Sequence, residues 1–316
     1  YFPKLNTELE DYQQIEKDLL DAVLYAPDNT PGNKTLFSKS VARTLLAKIY
    51  AEKPLRDYTK VIQYCDEVKA DGFDLVDDFS DLFGMNAAGT DAKMRNTKES
   101  ILEAQFTSGA GNWCTWMFGR DLVNWNNNFT WAKWVTPSRD LISAFKQEGD
   151  EVRFKESIVY YDCNWSNYYP SDNYPFMYKC RSANSSIIKY RYADVLLLKA
   201  EALIMQDTPD LEGAADIIDE VRDRAKLGAL PTSVRSNKNV LLNALLKERR
   251  LELAFEGQRW FDLVRLDKVE EVMNAVYAKD SGRKAQIYTF DKNSYRLPIP
   301  QSVIDANDKI HQNPGY

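Results

Sequence analysis

The sequence is poor in the residues on which most metal and catalytic sites depend. It has one histidine and four cysteines among 316 residues, and no two cysteines stand in a C-x-x-C pair. The single histidine, His311, lies almost at the C-terminal end. A zinc site and a Ser-His-Asp catalytic set are therefore not expected. We predict no metal, no cofactor and no catalytic residues.

The four cysteines are scattered along the chain as Cys65, Cys114, Cys163 and Cys180. Cys163 and Cys180 flank a polar loop and could close it with a disulfide if the protein is exported. The alternative, which we favour, is that the cysteines are free thiols buried among apolar side chains.

Long apolar runs and an excess of basic residues are also missing. No run approaches the roughly 20 residues of a membrane helix, and the start of the chain lacks the basic and apolar regions of a signal peptide. The formal net charge is −6. Because nucleic-acid binding is driven by Lys and Arg, this balance argues against a nucleic-acid partner.

Apolar residues at helical spacing predict paired helices in the first third of the chain. Such stripes run through residues 5–24, 38–51 and 57–70. Ser38 or Ser40 can cap the second helix. Two helices joined by a few residues make an αα-hairpin.

The same layout recurs later, in residues 191–206 and 211–226. Thr208 and Pro209 are predicted to be the N-cap and the first residue of the second of these helices. Small residues at the crossings resemble tetratricopeptide units, although the strict repeat motif is absent. The sequence thus favours a mostly α-helical, solenoid-like scaffold.

Between these hairpins the sequence becomes irregular and aromatic. Residues 100–107 alternate enough for a short strand, and Thr136 to Ser138 can cap a helix. The stretches 109–134 and 160–178 are rich in Trp, Tyr, Asn, Ser and Gly. Long loops in a compact domain are usually functional or disordered, and disordered segments are poor in aromatic residues. A functional loop region is therefore predicted.

Five of the seven tryptophans fall within residues 111–134. Sugars present C–H faces that stack on flat aromatic rings, while their hydroxyl groups need in-plane donors and acceptors such as Asn, Arg and Asp. The alternative is that the rings anchor the loop on the helices, which we expect for Trp134; residues 160–169 could form a second wall. The candidate ligand-binding residues are Trp113, Trp116, Arg120, Asn124, Trp125, Asn126 and Trp131.

Residues 246–265 combine large apolar side chains with charges of both signs. Arg249 falls on an apolar helical stripe, where an unpaired charge is costly. We predict that it pairs with Glu252, with Glu256 or with a carboxylate elsewhere in the fold, and that Gly257 caps the helix. A catalytic carboxylate pair is the competing interpretation, but a structural ion-pair network is favoured because no His or Cys lies nearby.

This stretch resembles the SusD/RagB family, whose pattern is roughly E-R-x-x-E-L-x-F-E-G-x-R-x-x-D-L-x-R. Residues 190–203, 297–301 and 312–316 also look like family segments. The positions that match the pattern are Glu248, Arg249, Glu252, Leu253, Phe255, Glu256, Gly257, Arg259, Asp262, Leu263 and Arg265.

The resemblance implies one SusD-like domain over residues 1–316, with a helical-hairpin part (1–98), a strand- and loop-rich part (99–188) and C-terminal helices with a closing segment (189–316). It implies non-catalytic binding of oligosaccharide or polysaccharide at the bacterial cell surface, for delivery to a SusC-like TonB-dependent transporter. The expected location is the outer membrane, through a lipid anchor that this chain does not contain. The chain is then expected to be the C-terminal portion of a longer one.

Two other functions remain open at this stage. A helical-repeat adaptor would bind peptide on its hairpin helices instead of in the Trp-rich loop. A glycoside hydrolase would need two carboxylates across a sugar, for which Asp77-Asp78 and Asp150-Glu151 are the available acid pairs. Adjacent acids in polar turns are more often solvated, which disfavours the hydrolase.

Overall fold

The computed structural model describes residues 4–107, 111–112, 136–162, 169–279 and 289–316. Helices dominate these residues and the strands are few and short, which confirms the predicted mostly α class. Two short 3₁₀ helices are Lys53–Leu55 and Lys292–Tyr295. The α-helices are α1 Glu8–Tyr25, α2 Lys39–Ala51, α3 Tyr58–Ala70, α4 Ser80–Phe83, α5 Arg139–Glu148, α6 Glu151–Ser157, α7 Tyr192–Met205, α8 Leu211–Arg224, α9 Thr232–Arg235, α10 Lys238–Glu252, α11 Arg259–Arg265, α12 Val269–Lys279 and α13 Gln301–Ala306.

The long helices form a stack in which each packs against the next. Helix α1 contacts α2, α2 contacts α3, α3 contacts α7, α7 contacts α8, and α8 contacts α10. Helix α7 lies in the middle and is buried almost all round, as its continuously apolar sequence requires. Leu46, Val61, Leu197, Ile218 and Leu245 of this core are fully buried. The predicted pairing of α2 with α3 and of α7 with α8 is confirmed.

The chain between α3 and α7 contains two small antiparallel sheets. Strand β1, Ser100–Ala104, pairs with β4, Ile187–Arg191, which runs directly into α7. Strand β2, Ile158–Tyr161, pairs with β3, Tyr174–Met177. The predicted strand over residues 100–107 exists but ends at Ala104. These sheets attach the aromatic, loop-rich part to the helical stack.

Helix caps show where local sequence reasoning succeeded and failed. Ser138 caps α5 as predicted, accepting a hydrogen bond from the backbone N–H of Leu141 at 3.1 Å. Ser38 stands at the N-cap of α2 but makes no side-chain cap bond. The prediction for Thr208 and Pro209 is wrong. Helix α8 begins after Asp210, whose carboxylate accepts a hydrogen bond from the backbone N–H of Gly213. Asp210 is therefore the N-cap, a position at which Asp is among the preferred residues.

The turn after α10 is the second correction. Helix α10 ends at Glu252, and residues 253–257 form turns instead of a further helical turn. Gly257 therefore does not cap α10, although its φ of +78° is the left-handed conformation that glycine tolerates. Phe255 also has a positive φ, +67°, which costs a bulky residue conformational energy. The turn redirects the chain from α10 into α11.

Candidate ligand-binding site

The candidate ligand-binding residues lie outside the described residues, in the segment 113–135. This applies to Trp113, Trp116, Arg120, Asn124, Trp125, Asn126 and Trp131, and also to Trp134. Their role therefore stays a prediction. The structure does describe the residues that flank this segment, and those residues show where on the fold it begins and ends.

The C-terminal flank of the Trp-rich segment is joined to the β2–β3 hairpin. The hydroxyl groups of Thr136 and Tyr174 share a hydrogen bond of 2.5 Å. Tyr169 donates its hydroxyl proton to the carbonyl oxygen of Pro137 at 2.8 Å. The guanidinium of Arg139 lies 4.8 Å from the centre of the Tyr169 ring, within the range of a cation–π contact. Side chains from two parts of the chain thus hold this flank.

The N-terminal flank is held by Asn112, whose side chain is almost completely buried. Its amide nitrogen donates to the carbonyl oxygens of Ser182 and Ser185 at 3.1 and 2.9 Å. The thiol of Cys180 donates to its amide oxygen at 3.2 Å. Because a buried polar side chain is costly unless its hydrogen bonds are made, this set of bonds fixes the position of Asn112.

The described flanks of the second aromatic stretch lie in the same region. Residues 163–168 lie outside the described residues, but β2 before them and Tyr169 after them are described. Tyr161 pairs with Tyr174 across the hairpin, and the ring of Tyr169 meets that of Tyr174 edge to face at 5.7 Å. Residues 169–185 are therefore in contact with flanks of both aromatic stretches. We call this region, together with residues 111–112 and 136–139, the loop platform.

A cavity of about 200 Å³ opens beside the loop platform. It lies between the end of β3, the start of β4 and the turn after α10, and Met177, Cys180, Ile188 and Phe255 line it. Lys179 forms part of its wall, and this side chain donates to the carboxylate of Glu256 at 2.6 Å. Burial lowers the pKa of Lys179 to about 8, against the opposing effect of Glu256.

A larger cleft, of about 380 Å³, lies at the start of α1. Its lining includes Glu8, Lys53, Tyr295 and Arg296. No residue of the loop platform is among its described lining residues. Of the two cavities, the smaller one therefore adjoins the region in which the sequence places the binding residues.

A buried ion-pair network lies beneath the loop platform, and Glu252 is its centre. The carboxylate of Glu252 accepts hydrogen bonds from Arg153, Arg191 and Arg224. Arg191 and Arg224 also pair with Glu99. Burial by itself raises the pKa of Glu252, but the three arginines outweigh it and hold the pKa well below its usual range. The network joins α6, β4, α8 and α10.

Arg249 forms a second buried group, as predicted, but with different partners. It donates to Asp262 at 2.9 Å and to Asp194 at 2.8 Å, and it pairs with neither Glu252 nor Glu256. The predicted alternative of a carboxylate elsewhere in the fold is therefore the correct one. Asp194 belongs to α7 and Asp262 to α11, so Arg249 ties three helices together. This arrangement supports a structural role.

Sequence reasoning missed several members of these networks. Arg153, Arg191, Arg224 and Glu99 received no role, although each is buried. For Arg191 the sequence does contain an indication of burial, because this residue stands between two tyrosines just before the apolar run of α7. The others lie in ordinary charged stretches, and only the fold shows that they meet.

Within the described part of the chain, no group of three or more His, Cys, Asp and Glu side chains is placed to hold a metal ion. No helix in that same part is long and apolar enough to cross a membrane. Cys65 is a buried free thiol, as favoured, and burial raises its pKa. Cys114 and Cys163 lie outside the described residues, so the possible disulfide stays untested.

These features define a class of protein: a stack of helical hairpins with a long insertion between α3 and α7 that is rich in aromatic and polar residues. The matches to known proteins agree with this class. Residues 175–316 match the model of the SusD family. The C-terminal part of the chain is thus similar to the SusD/RagB family, as its charged motif predicted.

The relatives show how much of this similarity is in sequence and how much in fold. The SusD-like protein P38 of Formosa agariphila is 43% identical over 99 residues, which are 29% of this chain and 19% of that protein. A solved SusD-like protein of Bacteroides fragilis is 22% identical, with a TM-score of 0.75 over 99% of this chain and 72% of its own. A solved laminarin-binding SusD-like protein is 25% identical, with a TM-score of 0.70 over 96% of this chain and 68% of its own.

Proposed function

We propose that this protein binds oligosaccharide or polysaccharide at the bacterial cell surface without breaking bonds in it. The observation that carries the proposal is the loop platform, in which the described flanks of both aromatic stretches are in contact. The match of residues 175–316 to the SusD family model supports it, as does the similarity to a protein described as laminarin-binding.

The chemistry of the flanking residues suits this function. Near these flanks, the half-buried Tyr161 and Tyr169 each contact the buried Tyr174 of β3, and Arg139 lies beside Tyr169. Aromatic rings give flat surfaces for the C–H faces of sugars, and the neighbouring polar groups bond to hydroxyls. We propose that Trp113, Trp116, Trp125 and Trp131 continue this surface and that Arg120, Asn124 and Asn126 contact hydroxyl groups.

Replacing Trp113, Trp116 or Trp125 with Ala should weaken glycan binding at least about tenfold, because truncating a central aromatic contact costs ~1.4 kcal/mol or more. The helical circular dichroism signal and the melting temperature should stay the same, since a surface loop contributes little to the stack. Isothermal titration with the best ligand from a glycan array measures the effect.

Tyr25→Ala is a suitable control for these variants. Tyr25 is 83% exposed at the end of α1, so its loss removes a surface aromatic ring that is not part of the loop platform. Its binding should equal that of the wild type. If all three tryptophan variants also bind like the wild type, the Trp-rich segment is a structural clamp and the binding site lies elsewhere. Release of reducing sugar from the glycan would instead indicate a hydrolase.

We further propose that the protein delivers its glycan to a SusC-like TonB-dependent transporter and is held at the outer membrane by a lipid anchor. Support for this comes from the family relationship alone. The lipidated natural protein, purified from outer membranes in mild detergent, should carry a large β-barrel protein with it. Recovery of the protein alone would count against a stable complex.

A further inference from the structure

The cavity beside the loop platform has the composition of a small-molecule site. Its walls are mostly apolar, and the apolar side chains are Phe83, Met177, Ile187, Ile188 and Phe255. The polar groups are few, and the most deeply buried of them is Lys179. Ligand sites are typically concave and mostly apolar, with a few polar groups that orient the ligand. Of the apolar residues only Phe255 belongs to the charged motif, so the character of the wall comes mainly from other parts of the chain.

The volume of this cavity limits what it can hold. It measures about 200 Å³, and an apolar cavity of about 150 Å³ is enough to bind one benzene molecule. One ring with a short substituent therefore fits, whereas an oligosaccharide does not. A sugar ring would leave hydroxyl groups against apolar walls, which is costly. An aromatic ring is favoured instead, because the rings of Phe83 and Phe255 border the space and aromatic rings attract one another beyond the effect of burial.

Lys179 supplies a polar contact that can orient such a ring. Only 5% of this residue is exposed, and its ammonium donates to the backbone carbonyl oxygen of Glu252 at 2.9 Å and to the carboxylate of Glu256 at 2.6 Å. Among the described residues, none accepts the third N–H. The ammonium also lies 4.7 Å from the centre of the Phe83 ring, within the range of a cation–π contact. An acceptor oxygen beside the ring of a ligand can therefore take the third N–H.

The cavity shares residues with the loop platform. Met177 and Cys180 line the cavity and belong to the platform, and the thiol of Cys180 donates to the side chain of Asn112 at 3.2 Å. Met177 is the last residue of β3, and Tyr174, the first residue of that strand, bonds to Thr136. A glycan bound at the loop platform would therefore lie next to the cavity.

We propose that the cavity binds a single aromatic ring that carries a carbonyl oxygen, and that the natural ligand presents this group as an aromatic acyl ester on the glycan. The ring lies among the apolar walls, and the carbonyl oxygen accepts the third N–H of Lys179. In such an ester the carbonyl stands between the ring and the sugar, so the ring can be buried while the sugar remains outside. The inference rests on the proposed function and adds the chemical class of a substituent to it.

Methyl benzoate is the minimal probe, since it contains the ring and the ester carbonyl without a sugar. Methyl cyclohexanecarboxylate lacks the aromatic ring, and toluene lacks the carbonyl. Ligand-observed NMR titration of the wild type should show the tightest binding for methyl benzoate. This order is expected even though toluene is more apolar, because only methyl benzoate combines a ring face with an acceptor for the N–H of Lys179. Binding of either comparison compound as tight as that of methyl benzoate would reject the proposed group.

Ile187→Phe and Ile188→Phe each fill the cavity, since both isoleucines are half-buried and line it. Each variant should weaken the binding of methyl benzoate at least about tenfold, because the added ring takes the space of the ligand. Ile217→Phe is the matched control: Ile217 is a half-buried isoleucine of α8 that is not among the described residues of the cavity wall, and its replacement should leave binding unchanged. Two filling variants are made so that the comparison uses one that melts like the wild type.

The link to the glycan is tested with laminaribiose and its 6-O-benzoyl ester, which differ only in the aromatic group. The wild type should bind the ester at least about tenfold more tightly, and a filling variant should lose this difference. Equal binding of the two sugars would reject the ester on the glycan.

The remaining outcomes separate this inference from the proposed function. If methyl benzoate does not bind the wild type, or binds the filling variants equally well, the cavity site is wrong while glycan binding at the loop platform stands. If no glycan of the array binds, the proposed function fails. The cavity site is then judged by methyl benzoate alone, which should raise the melting temperature of the wild type and of Ile217→Phe but not of the filling variants; no such rise rejects it.

Discussion

Glu252→Gln should lower the free energy of unfolding by about 3–5 kcal/mol, because it leaves three buried arginines without their shared carboxylate. Glu252 is fully buried and accepts from Arg153, Arg191 and Arg224. Glutamine has nearly the same volume as glutamate but carries no charge. Its NH₂ group would also point at arginine N–H groups, which cannot accept a hydrogen bond. Each arginine keeps at least one other acid, but none of these replaces the carboxylate that all three share. The other acids are Asp150 and Glu248 for Arg153, Glu99 and Glu256 for Arg191, and Glu99 for Arg224.

Chemical denaturation followed by circular dichroism measures this effect. Glu212→Gln is the control, since Glu212 pairs with Arg235 but its side chain is 72% exposed. Exposed pairs contribute about 0–1 kcal/mol, so this variant should unfold almost like the wild type. A similar small change for Glu252→Gln would mean that the buried network contributes little net stability, as when desolvation cancels the attraction between the charges.

The helical scaffold could be predicted from the sequence because its signals are local. The apolar stripes of α2, α3, α7 and α8 follow the helical period and end at recognisable caps, so the helices were found with errors of a few residues. The turn after α10 could not be predicted. The pattern continues to Glu256, whereas the chain turns with a positive φ at Phe255 and Gly257, and Phe255 packs against a cluster that includes Leu141 and Phe145 of α5.

The partners within the ion-pair networks could not be predicted, because they are distant in sequence. Arg153 and Glu252 are 99 residues apart, and Arg191 and Glu99 are 92 apart. For Arg249 the sequence could name only its near neighbours Glu252 and Glu256, and it left a carboxylate elsewhere in the fold unspecified. In the fold, Arg249 faces α7 and α11, and it donates hydrogen bonds to the carboxylates of Asp194 and Asp262 on those helices.

For the candidate binding site, the prediction comes from composition, and the structure adds the positions of the described residues that flank it. Composition predicts its chemistry, since clustered tryptophans with Asn and Arg are typical of a sugar-binding surface. The positions of its flanks depend on polar residues that carried no signal in the sequence, such as Asn112, Thr136 and Tyr169. These residues hold the flanks of the aromatic stretches, and a single hydrogen bond between distant residues has no local sequence pattern.

Arg249→Ala should be the second strongly destabilising change, by about 3 kcal/mol, and should lower the melting temperature clearly. The expected loss is at the lower end of the range for buried pairs because each acid keeps one cation. Asp194 also accepts from Lys48 at 2.6 Å, and Asp262 from Arg265 at 2.7 Å. Arg296→Met is the control, since Arg296 pairs with Glu8 and both side chains are more than half exposed.

The dependence of this effect on pH provides a second measurement. Burial by itself raises the pKa of Asp194 and Asp262, but nearby cations outweigh this effect and hold both pKa values below the usual range. The cations are Lys48 and Arg249 for Asp194, and Arg249 and Arg265 for Asp262. A lowered folded pKa contributes stability that is present above the unfolded value, about 3.9, and is lost as the pH falls through the folded value. Without Arg249 both pKa values rise, so the difference in unfolding free energy between wild type and variant should be largest near pH 7 and narrow below about pH 4. Unchanged unfolding at every pH, combined with lost glycan binding, would instead make Arg249 a ligand-binding residue.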